Sequence, residues 1–128
     1  MLQFVLKGLV VPKARPKFNQ GQAYLPENYR IWQEKAIIEL IEQKQKTTMK
    51  YPIKTSIKLH ITYKGHANAD ADNIAGAIMD VLQQAKIIQN DNLKYIQELK
   101  LEFSKTTKKQ AETLIQISEL KPYQKEIL

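Results

Sequence analysis

Ile57, Leu59, Ile61 and Tyr63 alternate strictly with Lys58, His60 and Thr62. Successive side chains of a strand point to opposite faces, so this stretch reads as a β-strand with one face buried and one face wet. Something apolar must cover the buried face. The period then changes: Ile74, Ile78, Val81, Leu82 and Ala85 recur at helical spacing and form the apolar stripe of a helix. A sheet layer with helices packed on it follows from that switch.

The remaining segments complete the pattern. Leu2, Phe4 and Leu6 alternate into a first strand, and Tyr95, Leu99, Leu101 and Phe103 into a third. Leu114, Ile115 and Ile117 mark a fourth, joined to the third by what reads as a hairpin loop over 106–110. Pro26 suits a helix start. Tyr29, Trp32, Ala36, Ile37, Leu40 and Ile41 then share one face of a helix running to about Gln45. Two prolines and a glycine make 11–21 a loop. The expectation is a single α+β domain over residues 1–120. It has a mixed four-stranded sheet and two helices in the order β-α-β-α-β-β, with a tail over 121–128.

A chain of 128 residues is the usual size of one core. It has no cysteine, which excludes disulfides, thiolate metal sites and a cysteine nucleophile. No apolar run approaches the roughly 20 residues of a membrane span, and the first residues lack the lead of a signal peptide. A soluble cytoplasmic protein is expected. Charge is uneven: residues 1–64 carry 12 Lys/Arg against 4 Glu, and residues 65–128 carry 8 Lys against 9 Asp/Glu. A net charge of +7 suits a polyanionic partner such as nucleic acid.

All four aspartates, Asp70, Asp72, Asp80 and Asp91, fall in one 22-residue window. Two like charges 4 Å apart repel by about 4 kcal/mol in a moderately screened site, a cost that a divalent cation removes. Hard cations take oxygen ligands, so a Mg²⁺ or Mn²⁺ site is the reading that spacing suggests. In extended backbone Asp70 and Asp72 point to one side, just before the helix. Asp91 follows the helix, about 20 Å further on, and must meet them through tertiary structure or across subunits. Bland readings stand beside this one. Asp72 or Asn73 is a natural N-cap, and Asp70 and Asp91 have turn surroundings. His60 reads as a polar-face strand residue and His66 as a loop residue.

Asp70-x-Asp72-Asn73, a following helix with Asp80 and Leu82, and then Asn90-Asp91 resemble the RusA family of Holliday-junction resolvases. So do Val11-Pro12-x-x-Arg15-Pro16-Lys17 and Tyr24-x-Pro26; the likeness covers about residues 2–120. The resemblance implies a metal-dependent endodeoxyribonuclease of recombination and repair. It would bind branched DNA, the four-way junction, as a homodimer and make paired nicks. It implies Asp70, Asp72 and Asp91 as the catalytic, Mg²⁺-binding residues, with Mn²⁺ able to substitute and no small-molecule cofactor. Asn73 and Asp80 would stand behind them. One departure matters: the family usually has a lysine where this chain has Gly76. Either a cation from elsewhere fills the gap, with Arg15 and Lys94 as candidates, or the site is slower. The alternative function is a junction-binding protein with little catalysis.

Lys13, Arg15, Lys17 and Phe18 share one loop, where cations to clamp phosphates accompany an aromatic that can wedge between bases. Lys108 and Lys109, with Lys105, form a second DNA-binding candidate. A solvated loop with Phe18 tucked into the core is the competing reading.

Overall fold

The computed structural model describes residues 1–14 and 17–120. In chain order the elements are β1 (Leu2–Lys7), β2 (Lys17–Asn19), β3 (Gln22–Tyr24), α1 (Glu27–Lys44), β4 (Ile57–Gly65), α2 (Ala71–Gln84), β5 (Ile96–Lys105) and β6 (Glu112–Glu119). The main sheet has the order β1-β6-β4-β5. β5 runs parallel to β4, while β6 is antiparallel to both β4 and β1. The expected α+β architecture is therefore present: two helices on a mixed four-stranded sheet.

The alternation along β4 selects the buried face. Ile57, Leu59, Ile61 and Tyr63 are at most 3 % exposed, as are Phe4 and Leu6 of β1 and Ile115 and Ile117 of β6. They meet Tyr29, Ala36 and Leu40 of α1 and Ile74, Ile78, Val81 and Leu82 of α2 in one core. The other face is polar, and there His60 Nε2 lies 2.6 Å from Glu102 Oε1. Lys100 and His60 beside Glu102 hold its carboxyl below the usual carboxylate range. His60 is thus a polar-face strand residue, as read.

Four expectations need correction. Residues 106–110 are not a hairpin loop. β6 leaves β5, crosses the end of β4 and inserts between β4 and β1. That position gives Ile115 and Ile117 strand neighbours on both sides and full burial. Bonds from Thr106 N to Gly65 O (3.0 Å) and from Gly8 N to Ala111 O (2.8 Å) tie down the crossing. The loop over 11–21 contains the first strand of a small exposed hairpin, β2–β3. Gln20 and Gly21 turn it with φ of 52° and 79°, the double positive φ of a type I′ turn; Gln-Gly is a weak form of that signal. The N-cap of α2 is Asp70 rather than Asp72 or Asn73, because the helix starts at Ala71. In α1, Gln33 is buried and Ile41 is 36 % exposed, so the apolar stripe is narrower than its composition suggests.

The two outer strands of the sheet differ. Strand edges present unpaired N–H and C=O groups that invite further pairing. On β1 that edge is occupied by α1. Gln43 Oε1 accepts from Val5 N and Gln43 Nε2 donates to Val5 O, both at 2.8 Å. Glu39 accepts from Lys7 N, and Lys35 donates to Lys7 O. On β5 no strand among the described residues pairs beyond β4. No helix among the described residues is long and apolar enough to cross a membrane.

Replacing Gln43 with Ala strands both polar groups of Val5. A loss of about 1–3 kcal/mol in unfolding free energy is expected, read from urea denaturation of the two proteins.

Candidate active site

β4 ends at Gly65, and a Cβ there would overlap the ring of Tyr63, which folds back across it. The Tyr63 hydroxyl also accepts from Val10 N at 3.3 Å. This holds the segment after β1 against the end of β4, where α2 begins. Asp70 and Asp72 are both exposed there, one as N-cap and the other in the first turn. The partial positive charge of a helix N-terminus favours carboxylates at those places. Asn73 is half-buried, and its carbonyl accepts from Lys13 N at 2.9 Å.

That backbone bond fixes where Lys13 goes. Asp72, Gly76 and Asp80 are spaced four apart, so they line one face of α2. The Lys13 stem lies across this face: a Cβ at Gly76 would sit 3.1 Å from Lys13 Cδ. Its ammonium is 3.3 Å from Asp80 Oδ1, and the Tyr29 hydroxyl donates to Asp80 Oδ2 at 3.0 Å. Burial, and then the charge of Asp80, push the Tyr29 hydroxyl well above the ordinary tyrosine range. Glycine at 76 therefore leaves a channel for a lysine that arrives from elsewhere in the chain.

Other sequence-selected cations collect at this end of the sheet. Lys105 pairs in register with Gly65, and Lys108 and Lys109 follow in an exposed 3₁₀ turn. Phe18 is 75 % exposed on the small hairpin, not tucked into the core. Arg15 lies outside the described residues, and of Lys17 only the backbone is described. Beside the start of α2 is a cleft of about 190 Å³ lined by Tyr63, His66, Ala69, Ala71, Leu101 and Phe103.

Asp91 is at the opposite end. Tyr95 N and Ile96 N both bond to Asn92 O, and Tyr95 O accepts from Ile57 N. This ties the turn holding Asp91 to the first residue of β4, whereas Asp70 follows the last. Eight residue steps of strand separate those ends, roughly 26 Å. Within one chain Asp70 and Asp72 are neighbours and Asp91 is remote. Among the described residues no three His, Asp or Glu side chains gather closely enough to hold a metal ion. One chain's residues therefore do not by themselves make the three-carboxylate Mg²⁺ site. Asp80 anchors Lys13. Lys94 lies over the Tyr95 ring, 5.5 Å from its centroid and at the Asp91 end, so it does not stand in for a lysine at Gly76.

Sequence reasoning missed Lys13 as the side chain over Gly76, and Tyr29 as the group that holds Asp80. Tyr29 reads as core, and it is core. The available signal was its hydroxyl, since a buried tyrosine needs a polar partner.

Residues 7–118 match the family model described as endodeoxyribonuclease RusA. A crossover junction endodeoxyribonuclease RusA of Aquifex aeolicus (strain VF5) is 32 % identical over 96 residues, covering 72 % of this chain and 73 % of that protein.

The raised ionisation of Tyr29 has a measurable consequence. Its neutral hydroxyl stabilises the fold fully below the ordinary tyrosine pKa of about 10, and that contribution is lost as pH rises further. In a 295 nm titration one of the six tyrosines should ionise late, together with unfolding, and Tyr29→Phe should remove that late component.

Proposed function

The chain belongs to the RusA endodeoxyribonuclease family, and from that membership we propose that it is the endonuclease that resolves four-way DNA junctions in recombination and repair. In this reading two copies act on one junction and make paired nicks in strands of like polarity. A junction has two-fold symmetry, and two matched cuts need two matched sites. The observation that carries the proposal is the meeting of opposite charges at one end of the sheet. Asp70 and Asp72 share the start of α2, with Lys13 across its next turns and Lys105, Lys108 and Lys109 close by in the fold.

The roles follow from that arrangement. Lysines neutralise backbone phosphates and set the register of the duplex arms without reading sequence. The exposed ring of Phe18 is free to stack on or wedge between bases at a branch. Asp70, Asp72 and Asp91 are the proposed essential carboxylates, with Asn73 and Asp80 holding Lys13 beside them. Mg²⁺ takes one or two carboxylates, several waters and phosphate oxygens, and Mn²⁺ substitutes; bound there, it would offset charge on the scissile phosphate. The alternative, a junction binder with little catalysis, rests on the missing lysine at Gly76. A lysine lying over that glycine favours the enzyme.

Incubating labelled four-way junction with protein and Mg²⁺ tests the reading. Wild type should nick it, and Asp70→Asn should still shift the junction on a gel yet cut at least about 100-fold more slowly. Equal cutting by both proteins would end the assignment. Lys13→Ala should slow cutting roughly 10-fold or more while leaving Tm nearly unchanged, since an exposed ion pair contributes at most about 1 kcal/mol.

A further inference from the structure

From Gln43 to Ala69 the chain holds six lysines and no carboxylate. Lys58 and Lys64 lie on β4. Lys44 donates to Ala85 O and so ties the end of α1 to the end of α2. Lys46, Lys50 and Lys54 then run exposed along the segment that leads into the start of β4. The chain returns to this end of the sheet with exposed Lys86, just after α2, and exposed Lys94, just before β5. Among the described residues, ion pairs take Lys7, Lys13, Lys35 and Lys100, and none takes Lys46, Lys50, Lys54, Lys86 or Lys94.

Three of these cations share a groove. Lys54 and Lys94 line a cleft of about 600 Å³. Lys54 also lines an adjoining cleft of about 380 Å³ together with Lys50. The lining of both sets three lysines against one carboxylate, Glu119. Hydrogen bonds fix the walls. Lys94 N donates to Asn92 Oδ1 at 3.0 Å, and Lys94 O accepts from Ser56 Oγ at 3.2 Å. Leu120 N donates to Ser56 O at 2.8 Å, and Thr55 Oγ1 donates to Glu119 Oε2 at 3.0 Å. The lysine stems are flexible, but the backbone that carries them is held.

We propose that this groove, at the end of the sheet remote from Asp70, holds the phosphate backbone of a DNA arm beside the branch. The choice of DNA as the polyanion rests on the nuclease reading above. A surface built only for solubility intersperses charges of both signs. Unpaired cations of one sign repel one another until an anion enters, and a phosphate backbone is the anion that lysines in a groove track. Lysine contacts phosphate and reads no sequence, so the groove would place an arm rather than select a base. The reach is right for an arm. The two ends of β4 are roughly 26 Å apart, and about eight base pairs of duplex, at about 3.4 Å each, span that distance. An arm that leaves the carboxylate end therefore arrives at the groove within its first helical turn of about 10 base pairs.

Binding is measured apart from cutting, by fluorescence anisotropy of a labelled four-way junction in EDTA. Each phosphate contact adds about 0.9 to the steepness of log affinity against log salt. Lys54→Gln/Lys94→Gln should lower that slope by at least about 1.8, so its deficit against wild type should be at least about 12-fold smaller at 200 mM salt than at 50 mM. Both side chains are exposed, so Tm should stay at the wild-type value. Lys7→Gln/Lys100→Gln removes the same charge from lysines already paired with Glu112 and Glu102, and should leave the slope unchanged. Glu119→Gln should tighten binding. An unchanged slope in Lys54→Gln/Lys94→Gln, an equal fall in both double variants, or weaker binding by Glu119→Gln would overturn the groove. If wild type binds the junction and never nicks it with Mg²⁺, the nuclease reading fails, and the slopes still decide the groove.

Discussion

The parallel pairing of β4 with β5 governs the rest of this molecule. Parallel neighbours cannot be joined by a tight turn; the chain must return the full length of the sheet before the second strand starts. Here α2 makes that return, over 14 residues. Its apolar stripe covers β4, and its two ends become the two ends of the fold. The residues just before the helix are placed at one end of the sheet and those just after it at the other. Asp70 and Asp72 are thereby separated from Asp91 by the same crossover that builds the core.

The edges of the sheet follow the same economy. A β-sheet of four strands has two edges, and each exposes backbone groups that must find partners or water. α1 spends Gln43, Glu39 and Lys35 on β1, so that edge is closed to further strands. β5 receives no such cover from the described residues and keeps an apolar face half in water.

At the start of α2 the structure replaces sequence adjacency with spatial adjacency. A helix carries a cation on a given face either through its own residue or by leaving a gap that another segment's side chain fills. Gly76 is the gap. It forgoes about 1 kcal/mol of helix propensity relative to alanine, and in return the Lys13 stem lies against the helix backbone with its ammonium on Asp80. Asp80 is in turn fixed by Tyr29 from α1, so three elements hold one charge near two exposed carboxylates.

The sequence by itself determined the elements and the faces they bury, because alternation and helical spacing are local patterns and the hydrophobic effect acts on them directly. The strand of Ile57–Gly65, both helices, the acidic start of α2 and the family likeness were legible in this way. The small hairpin was not, since Gln-Gly is a poor signal for a type I′ turn and its residues are nearly all exposed. Pairing partners were not legible either: β6 lies between β1 and β4 rather than beside β5, and Lys13 rather than Arg15 or Lys94 lies over Gly76. Those contacts join residues some 50 to 115 positions apart, and no local pattern encodes which distant edge or gap a segment will meet. Only the tertiary structure decided that, within one chain, Asp91 stays at the end of the sheet away from Asp70 and Asp72. That separation is set by the length of a crossover helix, and spacing along a chain says nothing about which end of a sheet a turn will occupy.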